Sequence, residues 1–361
     1  MTTLLFQGRP ITRGPVKQHG SLGLRLLVTF QRYVGALPEI EIDAVAVNYL
    51  SRYEEKRAST AQGAATLARQ YYELVTQFYE RGWGECFHFA PRKNGEPLPV
   101  ALRRYERHLG ERLGLSPGQR VLELGCGVGG PMRHVAEDFG VHVTGVTIVP
   151  YQVARGRLLS ARAGLERRCN FVVGDFNRLE FPSSSFDAVY TIEACCHAAD
   201  RRNPFSEAFR VLRPGGRFAG YDWCLLDSFS PTDPDHVRIK QGIEQGNGIA
   251  ELRPSSDVLD SLLDAGFEVE ACGDWAATAH PRLPWYGPLT SGFSLTGFRN
   301  SRAGAFLSRQ LIRVLEALQL APRGTLMVHD VLRLAQWSLV DAGRRGIFTP
   351  SFFWVARKPE R

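Results

Sequence analysis

Cysteine is scarce in this chain. Seven residues in 361 (Cys86, Cys126, Cys169, Cys195, Cys196, Cys224 and Cys272), with no C-x-x-C pair, give no disulfide framework and argue against a structural zinc site. They fit a reducing compartment, and the cytoplasm is the expected location. Acid is missing from residues 1–35, which carry Arg9, Arg13, Lys17, Arg25 and Arg32 and thus five of the seven net positive charges. The remainder is near charge balance, which argues against a nucleic-acid-binding body. Long apolar runs are missing as well. "SLGLRLLVTFQRYVG" (21–35) is interrupted by Arg25, Gln31 and Arg32, whereas a spanning helix needs about 20 apolar residues. Three readings of this arm stay open: a helix packed on the body, an interfacial helix on an anionic membrane, or a targeting segment. No internal repeat or low-complexity tract is present.

What is there reads as an α/β protein. Apolar positions recur at three and four over 59–80, "RKNGEPLP" (92–99) is a connector, and 99–114 is a second helix. From Arg120 strands and helices alternate: strand 120–124, helix 131–139, strand 142–147, helix 150–164, strand 170–175, strand 186–194, helix 203–212, the turn "RPGG" (213–216) and strand 217–223. That order predicts a parallel, doubly wound sheet. Residues 266–275 read as a further strand. Beyond 280 the pattern turns helical. Phe306, Leu307, Leu311, Val314, Leu315 and Leu318 form one stripe over 303–320, and a second helix covers 328–342 before a last strand at 348–359. The expected organisation is an arm (1–58), a helical and aromatic lid (59–119), a Rossmann-like body (120–279) and a helical carboxyl-terminal subdomain (280–361).

"LELGCGVGG" (122–130) holds G-x-G-x-x-G at Gly125, Gly127 and Gly130, a pattern that also suits NAD. Two features point away from a dinucleotide. The second strand ends "GVTIVPYQ", with no acid for a ribose, and Glu123 would oppose a pyrophosphate. A cationic cofactor reverses that preference. S-adenosylmethionine carries a sulfonium and an ammonium and no phosphate, and Asp175 closes the third strand near where an adenine edge would lie.

Residues 79–89 read "YERGWGECFHF". Tyr79, Trp83 and Phe87 recur on one helical face, yet Gly82 and Gly84 bracket Trp83, and each weakens a helix interior by about 1 kcal/mol relative to alanine. Rings gathered where the backbone loosens suit a core edge or a site for something greasy or cationic.

Together these blocks resemble the sterol C-24 methyltransferases, within the class I adenosylmethionine-dependent superfamily. The likeness runs from about residue 70 to the end and is carried by "YERGWGECFHFAPR" (79–92), "LELGCGVGGPMR" (122–133), "IEACCHAADR" (192–201), "YDWCLLD" (221–227) and the tail "GIFTPSFFWVARKPE". Departures are Arg81 where the family has a second aromatic, Cys195 and Ala199 for threonine and proline, and Asp222 for glutamate.

The resemblance implies attack of a sterol side-chain double bond on the cofactor's methyl group, then a carbocation, a hydride shift and a deprotonation. It assigns S-adenosylmethionine to Glu123, Gly125, Cys126, Gly127, Gly129, Thr147, Gln152, Gly174, Asp175, Phe176 and Glu193. It assigns the sterol to Tyr79, Trp83, Phe87, Phe89, Cys196, Tyr221 and Trp223. Tyr79, Trp83, Tyr221 and Asp222 would face the reacting atoms, and Glu193 and His197 are alternative bases, with no choice between them. Glu80 is the better candidate than Glu85 to face the site, and Glu85 is expected in solvent. Arg81 is expected to point outward. Peripheral membrane contact and a homo-oligomer are further implications. Two competitors stay open: a related enzyme acting on a linear triterpene, a tocopherol-type phenol or a small amine, and a non-catalytic lipid-binding protein on the same fold.

Overall fold

Short apolar runs between amphipathic helices must bury both faces, so they assemble into one sheet covered on both sides. The computed structural model describes residues 42–54, 60–290 and 301–360; the basic arm and the side chain of Arg81 lie outside what is described. Two helices come first, α1 (Ile42–Glu54) and α2 (Ala61–Gly82), followed by α3 (Leu98–Leu113). The alternating region is β1 (Arg120–Leu124), α4 (Gly130–Phe139), β2 (His142–Thr147), α5 (Pro150–Arg162), β3 (Cys169–Val173), β4 (Phe186–Ile192), α6 (Arg202–Val211) and β5 (Leu212–Leu225). Then come α7 (Pro234–Asn247), α8 (Ser256–Asp264), β6 (Glu268–Asp274), α9 (Arg302–Ala317), α10 (Thr325–Arg345) and β7 (Phe348–Arg357).

The sheet runs β3-β2-β1-β4-β5-β7-β6. Pairs from β3 to β5 are parallel, and β7 is antiparallel to both β5 and β6. The strand order reverses between β1 and β4, the place where open α/β sheets bind ligands beyond their carboxyl ends. Two expectations change. "RPGG" is not a turn but the start of β5, because Gly215 donates to the Lys358 carbonyl at 2.9 Å and Lys358 donates back to Gly216 at 2.9 Å. The tail, assigned as a returning strand to the carboxyl-terminal subdomain, is β7 inside the sheet, and Ile40–Arg361 make one compact unit.

Helices α7 and α8 carry no sequence-level expectation. Gly242 and Gly246 interrupt α7, and glycine reads as a helix breaker. Here they are points of close approach: a Cβ would sit 2.1 Å from Ser338 Oγ at Gly242 and 2.6 Å from Ala335 Cα at Gly246. That contact sets α10 beside the carboxyl ends of the central strands.

Candidate active site

The loop after β1 is built by left-handed residues. Gly125, Gly127 and Gly129 have φ of 78°, 52° and 75°, a region in which a side chain is strained. At Gly125 a Cβ would stand 2.3 Å from that of Ala194, so only glycine lets this loop nest against the end of β4. Beyond it lies a cavity of about 830 Å³, open mouth included, lined by Tyr72, Glu85, Phe87, His88, Glu123, Gly125, Cys126, Gly127, Thr147, Gln152, Asp175, Phe176, Glu193 and His197 among others. Its lining holds four carboxylates and, among the described residues, no lysine or arginine. That donor set fits a cationic cofactor and repels a pyrophosphate, as the sequence suggested. Gly129 and Gly174 shape the adjoining turns without lining it. Thr147 donates to Gln152 Oε1 at 2.6 Å, and Gln152 donates to Thr76 at 3.1 Å, a chain that fixes this wall.

Glu123 is buried and accepts from the Tyr190 hydroxyl at 2.9 Å. Burial pushes its carboxyl up to about 8, an effect that bond only partly offsets. A partly neutral carboxyl that gains a cationic neighbour ionises, so this group is poised to reward positive charge.

A second cavity, about 1140 Å³ with its mouth, adjoins the first and shares Tyr72, Phe87, His88, Glu193 and His197 with it. Its own lining is aromatic and aliphatic: Tyr79, Trp83, Phe89 and Trp223, with Leu289, Leu332 and Leu339 among the rest. Trp83 caps α2, and its indole donates to the His88 carbonyl at 3.1 Å. Phe89 meets Trp83 edge-on at 5.3 Å and Trp285 at 5.2 Å between centroids. Rings held this way turn faces and edges toward the void.

Glu193 stands at the shared wall with φ 52°, strained for a non-glycine residue. Oε1 accepts from the Phe89 N–H at 2.8 Å and Oε2 from the Trp223 indole at 2.7 Å. Burial pushes its carboxyl to about 8. His197 Nδ1 faces the Gly248 carbonyl at 3.0 Å, so that nitrogen carries the proton, and Nε2 accepts from the Tyr72 hydroxyl at 3.1 Å. Burial holds the pKa of this ring down and so keeps it neutral, with its one proton on Nδ1.

His88 is the opposite case. Nδ1 faces the Phe89 carbonyl at 2.8 Å and Nε2 the Glu106 carboxylate at 2.9 Å. Both partners only accept, so the ring is an imidazolium. Burial opposes this charge, but Glu106 raises the pKa above the usual value. Glu106 also bonds His134, and Cys86 Sγ lies within 4.8 Å of the bonding atoms of both. Tyr72, His88 and Glu106 were missed at the sequence level. Tyr72 lies four residues beyond Ala68 on a periodic helix, and nothing in that pattern separates a core tyrosine from a site tyrosine.

Several assigned residues are placed elsewhere. Tyr221 lies one pleat short of the sheet's end, stacked on Tyr105 with centroids 3.7 Å apart, and bonds His108 at 2.6 Å; it borders neither cavity. Asp222 points to the opposite face and is buried against Arg201 at 3.2 Å. Cys196 packs behind Trp223 in the core. Glu80 pairs with Arg155 at 2.6 Å and borders neither cavity, whereas Glu85 is exposed, as expected, and pairs with Arg133 at 2.5 Å at the rim of the acidic cavity.

Comparison with known proteins agrees with this geometry. The model of a methyltransferase domain matches residues 122–220, and that of the sterol methyltransferase C-terminal region matches 295–360. The cyclase SpnF superposes with a TM-score of 0.60 at 22% identity, covering 81% of this chain and 94% of SpnF. A geranyl diphosphate C-methyltransferase from Streptomyces coelicolor gives 0.56 at 16%, covering 80% and 97%. Fold and site define a class I methyltransferase that uses S-adenosylmethionine. Among sequences, cycloartenol-C-24-methyltransferase of Arabidopsis thaliana is 45% identical over 85% of this chain and 90% of its own length. A sterol 24-C-methyltransferase of Gibberella zeae is 40% identical over 92% and 87%. The chain belongs to the sterol C-24 methyltransferase family.

Proposed function

We propose that this chain methylates the C-24 side-chain double bond of a sterol. The carrying observation is the pair of adjoining cavities, one acidic and one aromatic, that share the wall of Tyr72, Phe87, His88, Glu193 and His197. When bound, S-adenosylmethionine supplies an electrophilic methyl group; the chain's residues do the rest. An alkene needs no base to become a nucleophile, so the site must first exclude water and align it. Tyr79, Trp83, Phe89 and Trp223 surround the side chain that becomes cationic, each ring contributing about 0.5–2 kcal/mol.

A base enters only after the hydride shift. Glu193 spends both oxygens on the Phe89 N–H and the Trp223 indole and so holds these two rings in place. We assign the base to Tyr72, supported by its bond to His197: its oxygen takes the substrate proton while its own proton passes to His197 Nε2. The product then carries a new double bond, and His197 returns the proton to solvent.

Peripheral membrane contact through the acid-free arm belongs to the same reading, supported by its composition, as does a homo-oligomer, supported by the resemblance. No described helix is long and apolar enough to cross a membrane.

The test is incubation with labelled S-adenosylmethionine and a sterol panel, with products identified by mass spectrometry. Label on the side chain of a Δ24-sterol is expected. Label entering only a linear triterpene or a tocopherol-type phenol would overturn the substrate.

A further inference from the structure

Helix α9 uses only a narrow face against the body. Ala305 and Leu315 are buried, yet Phe306, Leu307, Leu311, Val314 and Leu318 are 61, 56, 57, 53 and 62% exposed. At 3.6 residues per turn the last four fall within about 60° of arc, with Phe306 at the edge. A contiguous apolar row of this kind marks an interaction surface. The segment is basic in composition: residues 301–324 contain Arg302, Arg309, Arg313 and Arg323 against a single acid, Glu316, although Arg309 is paired with Asp330 of α10. Glu316 is turned inward, accepting from the Leu326 N–H at 2.8 Å. Arg313 is exposed beside Phe306 on the helix.

We propose that this face of α9 docks on an anionic lipid surface, with the apolar row at the boundary of headgroups and acyl chains and Arg313 at its rim. A large apolar face with a basic flank is how helices lie in that boundary. Two other occupants fit worse. Five half-exposed side chains offer on the order of 500 Å², below the ~800 Å² per partner of a stable interface, and a two-fold contact would set two cationic rims together. The chain's own residues 1–35 carry five cations and no acid, so covering this face with them opposes like charges.

The location gives docking a use, and this part rests on the proposed function. Arg309 binds Asp330 at 2.9 Å and Ser308 meets His329 at 3.0 Å, tying α9 to α10. Helix α10 in turn gives Leu332, Ala335, Gln336 and Leu339 to the aromatic cavity. A greasy substrate would pass from lipid to site across one helix.

The test is flotation of the full chain with phosphatidylcholine–phosphatidylserine vesicles, comparing wild type with the double variant Leu311→Glu/Leu318→Glu. Binding about 10-fold weaker or less is expected for the variant, and salt should weaken wild-type binding. Methyl transfer to sterol dispersed in cyclodextrin should stay within about 2-fold, since these side chains touch neither cavity; that assay also scores the function separately. Should the double variant melt early, Leu307→Gln/Val314→Gln carries the same test. Undiminished flotation of a folded variant overturns the proposal, as does wild type that does not float. A shift of the variant from dimer to monomer would give the face to a second copy instead.

Discussion

The Tyr72 hydroxyl lies 3.1 Å from His197 Nε2, while Nδ1 of the same ring is held 3.0 Å from the Gly248 carbonyl. A carbonyl can only accept, so the imidazole's proton is fixed on Nδ1 and the tyrosine must donate. Gly248 ends α7 with φ 66°, and a Cβ there would stand 2.6 Å from that of Tyr71. The relay thus depends on a glycine that no other residue replaces without displacing α2.

Replacing Tyr72 by Phe removes the hydroxyl and keeps the ring. Turnover is expected to fall by about 10²-fold, the scale of a lost proton-transfer group. His197→Gln should fall similarly, and the double variant little further, because the two act as a unit. Steady-state kinetics of the three variants, with cofactor affinity from calorimetry unchanged within about 3-fold, checks this.

Trp83 borders the aromatic cavity alone. Trp83→Leu should lower turnover up to about 30-fold, the equivalent of roughly 2 kcal/mol of lost cation–π attraction, with cofactor affinity barely moved. Equal losses of both would place the ring in the core.

Cofactor affinity should rise with pH. Glu123 titrates near 8 in the unliganded protein, so below that value it holds a proton that a cationic ligand must expel. Binding is expected to release protons, and affinity to climb up to about tenfold per pH unit for each such carboxyl before levelling off above 8. Glu193, raised alike, contributes in the same direction, so Glu123→Gln should remove only its own share. Calorimetry in buffers of different ionisation enthalpy reads both.

Asp222 is fully buried against Arg201, whose guanidinium also reaches Asp257 at 3.0 Å. Asp222→Ala leaves a buried guanidinium half-compensated and should cost about 3 kcal/mol of stability. A lowered melting temperature with turnover per folded molecule within about 3-fold is expected. Unchanged melting with abolished turnover would restore the catalytic assignment.

Glu106 supplies acid sensitivity. Burial pushes its carboxyl up, but His134 and His88 outweigh that and hold it near 2, against 4.5 unfolded. Its contribution, about 3 kcal/mol by linkage, is complete above the unfolded value and is lost as pH falls toward 2. Glu106→Gln should flatten the loss of stability between pH 4.5 and 2 in urea titrations.

Much of this was legible in the residues. Runs such as "RVLEL" and "HVTGVT" have the length and composition of buried strands, and the glycine loop with Glu123 already pointed away from a dinucleotide by charge. Trp83, Phe89 and Trp223, grouped by the sequence reading, line one aromatic cavity. Tyr221 and Trp223 share a face two residues apart, yet only Trp223 reaches the sheet's end; Tyr221 is covered by α3, and alternation cannot say how far along a strand the cover extends. Gly242 and Gly246 concealed α7 because close packing against α10 looks, in sequence, like a broken helix.

The sequence by itself determined the sheet's alternation, the acidic cofactor loop and the aromatic wall, since each rests on spacing and chemistry within one segment. The tertiary structure decided which groups meet: Tyr72 with His197 and Gly248, His88 with Glu106, β7 between β5 and β6. Those partners are separated by up to 125 residues in the hydrogen-bonded pairs at the site. Their distances depend on how faces pack, which periodicity along a chain does not encode.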